Sequence, residues 1–183
     1  IGTDQGIFSK NENKIIQNIL KLKKIKVTQI MTPRVVVTSI DENLTLREFK
    51  NDKKYLRFSR IPTYSEKNEK ITGYVFLQDI LEKLSEQKNY NLLIKEFKRN
   101  ILTIPTSVTL FNLWDQILEK KEHISIVIDE YGGLAGIVTM EDIIETLIGL
   151  EITDENDTII DMQKYAKRRW EEKQKKQNII NEF

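Results

Sequence analysis

The chain has 183 residues, of which 39% are hydrophobic and 31% charged, and a formal net charge of +1. That is enough chain for one domain or two small ones with a real core, and the near-neutral balance gives no general reason to expect nucleic acid or an anionic membrane surface as partner. The absence of cysteine excludes a disulfide framework and thiolate chemistry, and no apolar run approaches the roughly 18 residues of a membrane span.

No signal peptide is visible, and a first residue of Ile1 rather than Met suits a piece of something longer. Residues 11–25 place Ile15, Ile16, Ile19, Leu20 and Leu22 at helical spacing. Pro33 then pushes Thr32 towards an extended conformation, and Val35–Val37 reads as a short strand. The segment Asp41 to Thr45 should open a helix running towards Lys53. Arg60 to Tyr64 is extended, with Pro62 suited to a strand end or a sheet edge. Ile71–Phe76 reads as a strand, Gln78–Leu84 as a helix, and Ser85–Arg99 as a helical connector with an apolar patch at Leu92–Ile94. Ile124–Ile128 and Leu134–Val138 are β-branched or apolar runs joined by Asp129-Glu-Tyr-Gly-Gly133, a turn whose paired glycines take positive φ cheaply. Thr139-Met-Glu-Asp142 then pairs a hydroxyl with an acid three places on, the start of a helix whose apolar face is Ile143, Ile144, Leu147 and Ile148.

The second half repeats the first. SIDENLTL (39–46) matches TIPTSVTL (103–110), SRIPTY (59–64) matches ISIVID (124–129), and GYVFLQDIL (73–81) matches GIVTMEDII (136–144), at offsets of 64, 65 and 63 residues. Each copy is β-α-β-β-α, small for a lone domain, so the two should pair. The predicted class is α/β (α+β), with two such repeats packed as a pseudo-two-fold pair. Its parts are a lead-in helix at 1–26, repeats at 27–84 and 100–150 with a connector at 85–99, and an acidic linker with a basic amphipathic helix at 151–183.

This tandem repeat, with a G-h-h-T-x-x-D signature in its second copy, resembles a pair of CBS domains, a Bateman module. Ile30-Met-Thr-Pro-Arg34, Ser59-Arg-Ile-Pro62, Asp129-Glu-Tyr-Gly-Gly133 and Gly136-Ile-Val-Thr-Met-Glu-Asp142 are similar to the cytosolic module of the CorC/CNNM group, haemolysin-like membrane proteins tied to magnesium and cobalt transport. The resemblance covers roughly residues 12–157. It implies a binding module rather than an enzyme, with an adenine nucleotide (ATP, ADP or AMP) held between the repeats and Mg²⁺ accompanying ATP. It also implies a homodimer through the CBS helices, and a membrane domain upstream in the same polypeptide. On that footing the chain is a cytosolic fragment from the cytoplasmic face of the cell membrane.

Two readings of Thr139 and Asp142 stand side by side. In one they form a capping box; in the other, which the resemblance implies, they hold the ribose hydroxyls, two donors that a carboxylate can accept. Val138 belongs with them. By the same resemblance Thr32, Phe58, Ser59, Arg60, Ile61 and Pro62 face those residues. Arg60 is then a phosphate partner, Phe58 stacks on adenine or is ordinary core, and Arg34 is a second phosphate candidate. The first copy departs from the pattern: Phe76 stands where Thr139 stands, and Asp79 alone is a weak clamp, so one competent site is expected rather than two.

His123 has neither a cysteine nor a second histidine to make a metal site. Glu151, Asp154 and Asp157, in an acidic run that includes Glu155, are candidates to hold Mg²⁺ through water, or a solvated linker. Lys164, Lys167, Arg168, Arg169 and Lys173 form a basic stripe opposite Ile159, Met162, Ala166 and Trp170. Three functions remain in view. They are a nucleotide-sensing module of a CorC/CNNM-type transporter, a free-standing CBS pair acting in trans, and an enzyme; the last has no catalytic set, P-loop or metal spacing to support it.

Overall fold

A computed structural model describes residues 10–65 and 70–149, with side chains from residue 12 on. The acidic run from Glu151 and the basic tail lie outside the described residues. Helix α1 spans Lys10–Leu22, and a two-residue strand β1 follows at Thr32–Pro33. The first repeat consists of β2 (Ile40–Asp41), α2 (Leu46–Asn51), β3 (Arg60–Ser65), β4 (Lys70–Phe76) and α3 (Leu77–Leu84). The second consists of β5 (Leu102–Pro105), α4 (Leu110–Lys120), β6 (Ile124–Ile128), β7 (Leu134–Thr139) and α5 (Met140–Ile148). The order β-α-β-β-α therefore occurs twice.

The chain divides into two units that cut across this linear order. One is Val37–Leu102; the other joins the residues up to Val36 with those from Thr103 onward. The first-repeat unit carries a sheet of order β2-β3-β4, and the second-repeat unit one of order β1-β7-β6-β5. Each repeat thus folds with the segment that precedes the other repeat. In the second-repeat unit, Leu110 N donates to Ile25 O and Val27 N to Val108 O. In the first-repeat unit, Leu46 N donates to Leu92 O and Ile94 N to Leu44 O, each at 2.9 Å. The same exchange recurs at the strands. Thr32 and Pro33 pair antiparallel with Ile137 and Gly136, and Arg99 bridges Tyr74.

Glycine permits both crossings. A Cβ on Gly136 would lie under 3.0 Å from Thr32 O, and a Cβ on Gly73 equally close to Arg99 O. The two glycines are 63 residues apart, the offset of the third sequence match. Lys98 Nζ reinforces the crossing at Gly73 by donating to Glu42 Oε2 at 2.6 Å, which with Thr72 Oγ1 at 2.7 Å holds the Glu42 carboxyl below its ordinary pKa.

Each unit has its own core. In the first-repeat unit Ile40, Leu46, Phe49, Ile61, Val75 and Ile80 are buried together, with Phe49 stacked on Tyr55 at 5.4 Å. In the second-repeat unit α4 buries Leu110, Leu113 and Ile117, one stripe at helical spacing, and Ile124, Val127, Val138 and Ile143 are buried in the same unit. The tip between β6 and β7 is the expected turn. Asp129 Oδ1 accepts from Tyr131 N at 3.0 Å and Gly133 N at 2.7 Å, and Gly132 has φ +79°.

Several expectations are corrected. Arg34–Val36 is a 3-10 turn instead of a strand, because the edge of β7 is paired only as far as Pro33 and β-propensity without a partner does not suffice. Asp41 ends β2 and turns the chain by accepting from Asn43 N at 2.8 Å; α2 starts later, where Thr45 and Glu48 form a capping box. The connector holds only short 3-10 turns, Gln87–Asn89 and Ile94–Phe97, since its backbone between them is engaged with the start of α2. Pro62 lies on the central strand, not an edge. Tyr74 opposite turns its N–H and C=O to Arg99, so Pro62 sits in a non-hydrogen-bonded pair, and β2 begins pairing only at Thr63. The pairings Arg60↔Phe76 and Ile124↔Thr139, with a bulge after Thr63 and after Val127, make Arg60 the counterpart of Ile124, so the middle offset is 64. Finally, Ile80 and Ile143 face the cores, leaving Leu81, Ile144 and Ile148 as the exposed apolar residues of α3 and α5.

Gly136→Ala should destabilise the fold by about 1–3 kcal/mol, because the new methyl meets the Thr32 carbonyl oxygen, which is backbone, in addition to the Met31 side chain. Urea denaturation checks this; an unchanged midpoint would contradict the close crossing.

Candidate functional site

Strand β7 delivers Thr139 to its last position, and α5 begins at the next residue. Thr139 keeps extended backbone dihedrals (φ −110°, ψ 168°) and so acts as the N-cap. Asp142 N donates to Thr139 Oγ1 at 3.4 Å, while Thr139 N and Oγ1 donate to Asp142 Oδ2 at 2.7 and 2.8 Å. The capping box is therefore made. Both short bonds fall on Oδ2, so Oδ1 remains an acceptor for a further donor. The far end of α5 is closed by Gly149 at φ +71°, and Asn18 Nδ2 of α1 donates to Leu147 O at 3.0 Å.

Asp142 is half-buried and its carboxyl is raised above the ordinary carboxylate range. Desolvation is the main cause, the two bonds from Thr139 oppose it, and the neighbouring charge of Glu141 adds to it. The sign follows. A native pKa above the unfolded one gives stability that is complete below the unfolded value and is lost as pH rises through the native value.

The fold brings four of the candidates into one unit. Val138 is buried next to Thr139, and Thr32 lies on β1, paired with Ile137. The other five lie in the first-repeat unit. Phe58 packs against that unit's core, as its ordinary reading had it, and Ile61 and Pro62 are buried. Ser59 is exposed and its carbonyl accepts from Leu77 N at 3.0 Å. The Arg60 guanidinium lies over the Phe76 ring, 4.6 Å from its centroid. Arg34 is exposed, beside β1.

At the end of β4 the same frame holds different chemistry. Phe76 caps α3 without a side-chain hydrogen bond. Asp79 Oδ2 accepts from Arg99 Nη2 at 2.7 Å, and the Arg99 guanidinium sits 4.5 Å from the Phe76 centroid. Sequence reasoning passed over Arg99, which belongs to no repeated motif; only the strand pairing shows it as the counterpart of Thr32. Among the described residues, no group of three or more His, Cys, Asp or Glu is placed to hold a metal ion.

The CBS domain family model matches residues 94–149. A UPF0053 protein of Synechocystis is 36% identical over 169 residues, 92% of this chain and 48% of the relative. The chain thus spans about half the length of that curated relative. A solved CBS domain of the bacterial CNNM/CorC family Mg²⁺ transporter superimposes with a TM-score of 0.77 at 32% identity, covering 84% of this chain and 92% of the other. A CBS domain of that family solved in complex with ATP gives a TM-score of 0.71 at 32% identity, covering 76% and 98%. The β-α-β-β-α repeats define a CBS-domain protein. More narrowly, the chain belongs to the CBS domains of the CNNM/CorC family.

Thr139→Val should cost about 0.5–2 kcal/mol of stability through loss of the cap, and Thr139→Ser should recover most of it. Urea denaturation of both variants measures this; equal stability of Thr139→Val and the parent would contradict the cap.

Proposed function

We propose that this chain is an adenine-nucleotide-binding regulatory module of a CNNM/CorC-type membrane protein linked to Mg²⁺ or Co²⁺ transport, not a catalyst. One observation carries the reading: the Thr139–Asp142 pair at the end of β7, with Asp142 Oδ1 still able to accept. A ribose diol supplies the donors, and Thr32 and Val138 stand beside the pair on β1 and β7. The ATP complex of a relative at 32% identity supports ATP as the ligand. Phe58, Ser59, Arg60, Ile61 and Pro62 are proposed as further nucleotide-contacting residues on the family resemblance alone. Mg²⁺ would accompany ATP and neutralise its phosphates.

The greater length of the Synechocystis relative supports placing this module in a longer polypeptide; its place on the cytoplasmic face of the membrane is proposed on the family resemblance alone. No described helix is long and apolar enough to cross a membrane. The exposed Leu81, Ile144 and Ile148 support a homodimer through α3 and α5.

Calorimetric titration with ATP, with and without Mg²⁺, tests the reading. Binding should be saturable, and Asp142→Asn should weaken it several-fold to about 100-fold, because a charged acceptor is replaced by a group that also presents a donor. The parent's affinity should also fall as pH drops through the raised pKa of Asp142, since the protonated acid accepts hydroxyl donors less well; Asp142→Asn should lack that component. No heat and no melting shift at millimolar nucleotide would refute the proposal.

A further inference from the structure

We propose that the first repeat contains the frame of a second nucleotide site that Arg99 keeps closed from within. The inference rests on the nucleotide reading of the second repeat. Strand register makes three positions equivalent: Phe76 to Thr139, Asp79 to Asp142, and Arg99 to Thr32. Arg99 O meets Gly73 as Thr32 O meets Gly136, so the backbone at the two places follows the same course.

The side chains differ in one consistent direction. In the second repeat the strand-crossing residue is a short threonine, and among the described residues the Asp142 carboxylate bonds to its own cap residue alone. In the first, the crossing residue is an arginine whose Nη2 donates to Asp79 Oδ2 at 2.7 Å. Its guanidinium lies 4.5 Å from the Phe76 centroid, on a ring that also carries Arg60 at 4.6 Å. A ribose hydroxyl reaching Asp79 would have to displace a charged donor tethered in the same unit. Phe76 supplies no hydroxyl in return. Arg99 thus fixes the binding stoichiometry at one.

The pair is a poor candidate for a purely stabilising role. Arg99 and Asp79 side chains are 50% and 37% exposed, and ion pairs so exposed contribute little to stability. Removing Arg99 should therefore leave the fold intact, which makes the inference testable by gain of binding.

The test is ATP titration by calorimetry of the parent, Phe76→Thr, and Phe76→Thr with Arg99→Thr, each also in a Thr139→Val background. The expected stoichiometry is one for the parent, one for Phe76→Thr and two for the double variant. In the Thr139→Val background the double substitution should restore binding that Thr139→Val weakens. If Phe76→Thr alone gains the second equivalent, Arg99 is not what closes the site. If the double variant melts like the parent yet binds one equivalent, there is no latent site. A parent that binds no ATP, or a Thr139→Val variant that binds like the parent, overturns the underlying reading and this inference with it.

Discussion

Two close backbone crossings hold the architecture together. Thr32 crosses β7 at Gly136, and Arg99 crosses β4 at Gly73, at distances that leave no room for a Cβ. Because each crossing segment precedes the other repeat in the chain, neither repeat completes its own sheet edge from sequence-local residues. An open edge strand leaves backbone donors and acceptors without partners, and the exchanged segments supply them. The same segments reach the helix starts, where Ile25 and Leu92 accept from the first turns of α4 and α2. The exchange therefore fixes both ends of each repeat.

That frame also sets the chemistry at the ends of β7 and β4. The crossing strand brings one side chain beside the last residues of the repeat strand, and the helix brings a carboxylate three residues on. Where the three residues are Thr32, Thr139 and Asp142, the result is a hydrogen-bonded cap with an acceptor to spare. Where they are Arg99, Phe76 and Asp79, the carboxylate is taken by a guanidinium and the hydroxyl is gone. Two copies of one backbone arrangement thus differ in hydrogen-bonding chemistry through three side chains.

Much of this was legible in the sequence, for identifiable reasons. The Thr139-x-x-Asp142 box is a local signal, and it formed as read. So did the Asp129–Gly133 turn, whose geometry depends on residues five apart or fewer. The expectations that failed were those in which a distant partner decides. Val35–Val37 has the residues of a strand but pairs with no strand among the described residues. The connector lacks a helix because α2 claims its backbone. Pro62 tolerates a central strand because its opposite neighbour points its polar groups towards Arg99, 37 residues further along. Arg99 itself carries no motif, so only three-dimensional pairing could reveal its relation to Thr32.

The central claim is that one adenine nucleotide binds at the second repeat while the first repeat stays closed. A crystal structure of the chain grown with ATP and Mg²⁺ tests it most directly. The account predicts ribose hydroxyls donating to Asp142, with the Arg99–Asp79 pair still made and no nucleotide at Phe76. Ribose on Asp79, or a nucleotide bound elsewhere with the Thr139–Asp142 cap untouched, would contradict it.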